Sequence, residues 1–283
     1  MCIQVSSQGT EYYYGMEMKE GDCYMNIGLI GAGAIGKFLL DEINESAHES
    51  LKVTSVLVRD RKKYASLESE YGVELFTGIG EFLSSGIDIV VEASTVEAAK
   101  ELLPGIIKEK DVLLISTGVL ADEDLVADVT RNANEYDHAL HLPSGAIGGL
   151  DLLQNAQTFG KLDGVSLETR KPAASLTDED LDREKVIFEG NAAEAIDKYP
   201  KSMNISIILA FAGVGLKDTE VTIIADPKID RNVHNVKVTG DFGEAEFTFR
   251  NNPLPDNPKT SYLAALSVCG TLECIYKNVK IGS

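Results

Sequence analysis

Residues Gly31-Ala32-Gly33-Ala34-Ile35-Gly36 follow a short apolar run, Asn26 to Ile30, and open the helical pattern KFLLDEI. A GxGxxG segment that leaves a strand and opens a helix has the chemistry of a dinucleotide site. Gly31 allows the tight turn, Gly33 lets the backbone approach a pyrophosphate, and Gly36 lets helix and strand pack closely. The N–H groups that open the helix, on Ala34, Ile35 and Gly36, are free to donate to phosphate oxygens. Asp60 lies 24 residues after Gly36, at the end of the next apolar run. An acid there accepts hydrogen bonds from the adenosine ribose hydroxyls of NAD. Its neighbours Arg59 and Arg61 could instead grip the 2′-phosphate of NADP, so the expected cofactor is NAD or NADP. A solvated charge run, RDRKK at a helix start, is the other reading of residues 59–63.

A nicotinamide site that moves a hydride also needs a proton carrier, and histidine is the side chain matched to neutral pH. The chain has four: His48, His138, His141 and His234. His48 lies in a polar loop and reads as solvated. His138 and His141 flank an expected strand, where packing explains them. His234 follows ADPKIDRNV, a segment read as a loop before a strand, and loops carry catalytic groups disproportionately. No metal is expected. His138 and His141 are three apart on the expected strand, so they would point to opposite faces. The four cysteines, Cys2, Cys23, Cys269 and Cys274, form no CxxC pair. None stands at the start of the second half, where a thiol-dependent aldehyde dehydrogenase of similar layout needs one.

These groups must be positioned by a recognisable order of elements. Apolar runs at 26–30, 52–58, 87–94, 111–117 and 138–143 alternate with helical patterns. Strands buried on both faces and separated by helices make an α/β, Rossmann-type, doubly wound parallel sheet. From residue 144 the pattern changes. A helix precedes a strand at 165–170, an acidic loop spans 177–184, and strands follow at 185–190, 220–226, 234–240 and 244–250, the last two joined as a hairpin. This half reads as an α+β catalytic domain with a mixed or antiparallel sheet. The proline-rich stretch 251–261 reads as an extended entry to a final helix that packs back on the first half. The expected division is a nucleotide-binding domain over 25–143, completed by 253–283, and a catalytic domain over 144–252.

Composition bounds the partners. Twenty-six basic and 45 acidic residues give a net charge of −19, which repels phosphate backbones and argues against nucleic acid. No apolar stretch approaches the roughly 20 residues that span a bilayer, and the cysteine usage fits a cytoplasmic protein. Residues 1–24 hold four of the ten tyrosines and show no periodic apolar face. They read as a dispensable N-terminal extension.

Four segments carry a family resemblance: IGLIGAGAIGK (27–37), HLPSGAIGGLD (141–151), VTIIADPKIDRNVHNV (221–236) and NPKTSYLAALS (257–267). From Met25 onward the chain resembles the L-aspartate dehydrogenases of archaeal and thermophilic bacterial type. The resemblance implies NAD(P)-dependent oxidation of L-aspartate to iminoaspartate, which can feed quinolinate and NAD synthesis. It also implies that His234 is the active-site histidine, that Ala146 and Asn204 contact the nicotinamide side, and that the protein is a homodimer. Asn204 also has a plain alternative as a helix N-cap. Two substrate carboxylates need cationic partners; Lys171, Lys259 and Arg231 are candidates by placement. A related two-domain reductase, such as a homoserine dehydrogenase or dihydrodipicolinate reductase, would share this layout. A non-catalytic NAD sensor would keep the glycines without needing His234.

Overall fold

The computed structural model describes residues 24–279 and 281, apart from 161, 200–202 and 256. The expected extension therefore lies, except for Tyr24, outside the described residues. The first sheet begins at Met25. Its strands are β1 (Met25–Ile30), β2 (Leu51–Leu57), β3 (Glu74–Phe76), β4 (Ile89–Glu92), β5 (Asp111–Leu114) and β6 (Leu140–His141). All pair parallel, in the order β3-β2-β1-β4-β5-β6.

The inner strands are buried on both faces, as continuous Val, Ile and Leu runs require. Ile27, Leu29, Ile89 and Val91 enter one apolar cluster with Phe38, Leu39 and Leu40. Ile30, Val90, Val112 and Leu114 enter the other, with Leu103 and Ile106. The closing helix Tyr262–Tyr276 buries Ala265, Val268 and Leu272 in the first cluster, against the outer face of the parallel sheet. Its entry is more ordered than its prolines imply, because Pro253–Leu254 pairs antiparallel with Asn257–Ser261.

The second sheet contains β7 (Leu162–Pro172), β8 (Lys185–Asn191), β9 (Thr219–Asp226), β10 (Asn232–Gly240) and β11 (Gly243–Asn251), in the order β11-β10-β7-β9-β8. Only β7 and β9 run parallel, so the sheet is mixed. Alternation divides its faces. Val165 and Leu167 of β7, Val221 and Ile223 of β9, and Val236 and Val238 of β10 face a core shared with helices Leu150–Gln157 and Asn204–Ala212. The opposite face is polar: Asn235 donates to Glu246 at 2.7 Å and to Thr248 at 3.1 Å. The core cluster runs without a break from the parallel sheet into the mixed one.

Two expectations for the histidines fail for reasons of strand length and packing. β6 is only two residues long, so alternation does not reach His138. Both rings turn toward Asp111, His138 Nδ1 at 3.3 Å and His141 Nε2 at 4.0 Å. Among the described residues, no group of three or more His, Cys, Asp or Glu side chains is arranged to hold a metal ion. His48 is not merely solvated. Its Nε2 lies 3.1 Å from Glu273 of the closing helix, and its Nδ1 accepts from Ser50 N. No described helix is long and apolar enough to cross a membrane.

Candidate active site

A parallel sheet in this strand order opens a crevice where its direction of winding reverses, at the carboxyl ends of β1 and β4. Gly31 turns out of β1 with φ +94°, and a Cβ there would stand 2.8 Å from the Ala93 carbonyl oxygen just after β4. Gly36 presses the helix Ala34–Leu40 onto that turn; a Cβ on it would meet the Gly31 carbonyl oxygen at 2.3 Å. Gly33 is different. A Cβ there would meet nothing within 4 Å, and no side chain caps the helix it opens. The result is a bare, open backbone and unpaired helical N–H groups side by side.

Beneath the crevice sits a carboxylate that sequence reasoning missed. Glu92 ends β4 and is 1% exposed. It accepts from Ser94 N at 2.8 Å, Ser94 Oγ at 2.6 Å, Ser116 N at 3.0 Å and Ser116 Oγ at 3.1 Å. A buried carboxylate persists only when its lone pairs are satisfied. Here it binds together the turns that leave β4 and β5. Its signal is an acid closing an apolar strand with a serine two residues on. Thr95 then caps the helix Val96–Ile106 through Ala98 N.

Asp60 lies in the exposed turn after β2, where its Oδ1 accepts from Lys62 N at 2.9 Å and Lys63 N at 3.4 Å. Arg61 is engaged with Glu68 at 2.7 Å. Asp60 therefore shapes its own turn at the β2 end of the crevice. At the other end, Thr117 is buried with its hydroxyl unpartnered. Asn204 Oδ1 approaches to 3.9 Å from a Cβ placed on the adjacent Gly118. Asn204 is not the N-cap of its helix; Met203 is. The open Gly33, the uncapped helix and the unpartnered Thr117 fit the two ends of a dinucleotide.

The turn containing Ala146 is built by β11. Phe249 lies under Gly148 and Phe247 under Gly149, where a Cβ would come within 3.5 Å and 2.9 Å of the rings. Asn251 Nδ2 donates to the Ala146 carbonyl at 2.8 Å. Ser267 Oγ of the closing helix accepts from Gly145 N at 3.1 Å. Two elements, β11 and the closing helix, thus hold this turn over the side of the mixed sheet that carries His234, since Phe249 is the β11 partner of His234.

His234 is inside β10 rather than at the first residue of the expected strand, because pairing with β11 starts at Asn232 and with β7 at Val233. It is 2% exposed, and its Nδ1 is 3.1 Å from Thr169 Oγ1 on β7. Burial pushes the imidazole down to about 4, and the positive charge of Lys171 adds to the effect. Lys171 follows Thr169 by two residues on the same strand face. Burial lowers the Lys171 pKa as well. Arg231 is exposed and occupied, bonded to Asp230 at 2.9 Å and to Asn252 at 2.7 Å. The side chain of Lys259 lies outside the described residues.

Comparison with known proteins places this geometry. Residues 151–275 match the family model described as aspartate dehydrogenase, C-terminal, and residues 31–143 match homoserine dehydrogenase, NAD binding domain. An L-aspartate dehydrogenase of Methanothermobacter thermautotrophicus is 37% identical, covering 92% of this chain and 99% of its own length. The chain belongs to the L-aspartate dehydrogenase family. The crystal structure of aspartate dehydrogenase from Thermotoga maritima superposes with a TM-score of 0.77 at 30% identity, over 92% of this chain and all of that one. A homoserine dehydrogenase from Thiobacillus denitrificans, 16% identical, shares the fold alone, with a TM-score of 0.57 over 90% of this chain and 73% of its own. In this family member, residues 31–143 form a pyridine-nucleotide-binding domain. The resemblance drawn from four sequence segments and the α/β fold with a second, mixed sheet are both borne out.

Proposed function

We propose that the protein oxidises L-aspartate with NAD+ or NADP+ to iminoaspartate, with His234 taking the ammonium proton. The observation that supports this most is a buried, neutral imidazole beside the Ala146 turn, in a chain of this family. A bound nicotinamide supplies the hydride acceptor. The protein's own task is to hold Cα of the substrate about 3–3.5 Å from that acceptor and to remove a proton from nitrogen.

With Nδ1–H donated to Thr169 Oγ1, Nε2 carries the lone pair. It takes one proton from the substrate ammonium, directly or through water. The freed nitrogen lone pair then forms the C=N bond as hydride leaves Cα. Gly31, Gly33, Ala34, Ile35 and Gly36 serve the pyrophosphate, Asp60 the adenosine ribose, and Ala146 and Asn204 the nicotinamide side. Glu92 keeps the β4 and β5 turns rigid between them. The working division is a nucleotide-binding part over 25–143 with the closing helix, and a catalytic part over 144–252.

Initial rates of NADH and NADPH formation with L-aspartate, L-asparagine, L-alanine and L-homoserine test the reading. The highest kcat/KM belongs to L-aspartate. Preference for L-homoserine would assign the protein to the reaction named for its nucleotide-domain model instead. No turnover with any amino acid would favour a sensor.

A further inference from the structure

We propose that Lys171 is the cation that holds a carboxylate of the substrate beside His234; the proposal rests on the aspartate reading above. β7 is the central strand of the mixed sheet, and its register sets Thr169 opposite His234. Lys171 is the next residue of β7 on that face, about 6.7 Å further along. It pairs in register with Ala225, the smallest side chain that face of β9 offers there.

Two adjacent cations on β7 are treated in opposite ways. Arg170, on the polar face, is surrounded by carboxylates: Glu168 at 2.8 Å, Asp226 at 3.7 Å, and Glu184. The side chain of Lys171, half-buried on the His234 face, has no ion pair or hydrogen bond among the described residues. A chain with 45 acidic residues has ample means to neutralise a lysine, yet this one is left without an anion where burial makes that costly. A partner that arrives from outside accounts for it. The substrate is a dianion apart from its ammonium, and a net charge of −19 does not draw it in, so the attraction must be local. The pull of Lys171 on the His234 titration is what a charge close to the imidazole produces.

The test is calorimetric titration of the NADH-loaded enzyme with succinate, which has both carboxylates and nothing to oxidise, alongside butyrate, which has one. Wild type is expected to bind succinate more tightly than butyrate. Lys171→Met should lose at least ten-fold in succinate affinity with NADH affinity unchanged, and Lys171→Arg should recover part of the loss. Aspartate KM should rise more than kcat falls. If Lys171→Met binds succinate as wild type does while wild type oxidises aspartate, Lys171 is not the anchor and the aspartate reading stands. If succinate binding depends on Lys171 but aspartate is not oxidised, the anchor stands and the aspartate reading fails.

Discussion

Thr169 and His234 face each other across β7 and β10, Oγ1 3.1 Å from Nδ1, and each is only 2% exposed. At that depth the contact holds the plane of the imidazole and, with the hydroxyl accepting, keeps the proton on Nδ1 and the lone pair on Nε2. Thr169→Val keeps the shape and removes the oxygen. Losing one neutral hydrogen bond of about 0.5–1.5 kcal/mol costs roughly 3–10-fold, and here it should fall on kcat rather than on the affinity for NAD. Thr169→Ser should restore most of the rate. An unchanged kcat in Thr169→Val would mean that β-sheet packing alone orients the ring.

The glycines of the first turn separate fold from binding. Gly36→Ala forces a Cβ to 2.3 Å from the Gly31 carbonyl oxygen, so the helix must shift and Tm should fall by several degrees. Gly33→Ala meets nothing within 4 Å and has a negative φ, so Tm should hold. Its methyl nevertheless occupies the approach to the pyrophosphate, and NAD affinity should drop by ten-fold or more. Thermal melting beside a fluorescence titration of NADH reads both. Equal NAD affinity in Gly33→Ala and wild type would remove the pyrophosphate from this turn.

Cofactor choice is expected to turn on Asp60. Its Oδ1 is committed to Lys62 N and Lys63 N, and Arg61 to Glu68, which leaves the second carboxylate oxygen for a ribose hydroxyl. Asp60→Ala should weaken NAD by about ten-fold, the equivalent of a charge-assisted hydrogen bond, and NADP by much less. Equal losses for the two would assign Asp60 only to its turn.

The burial of His234 has a consequence for stability. The folded imidazole titrates near 4 and the free side chain near 6.5. Between those values the unfolded chain binds a proton that the folded chain refuses, so stability falls as pH falls through that window. From pH 7 to pH 5 this one group should cost about 2 kcal/mol. Urea denaturation of wild type and His234→Gln at both pH values isolates it, because all other titrating groups are shared. Wild type should lose more than the variant; equal losses would mean that the histidine is not held neutral by its surroundings.

The parallel sheet was legible because its strands are buried on both faces and each is followed by its helix, so order along the chain implies order in space. The second sheet was legible strand by strand but not in its order, since β7 finds β10, 65 residues on from Thr169 to His234, only through tertiary packing. The same non-local pairing starts β10 at Asn232, two residues before the expected strand, and so sets His234 inside it rather than at its first residue. Glu92 escaped notice because its four donors come from two separate turns that only the sheet brings together. His138 and His141 were misjudged because a two-residue strand does not carry alternation beyond its ends.

The central claim is that His234 carries the proton in aspartate oxidation, and single-turnover NADH formation by His234→Ala with saturating L-aspartate and NAD tests it most directly. The rate should fall by about 10²–10⁴-fold, the contribution of a positioned acid–base group, while the dissociation constant for NAD stays within a factor of two or so of wild type, because the glycine turn and Asp60 follow β1 and β2 of the other sheet. A variant that keeps a near-wild-type rate would contradict the assignment.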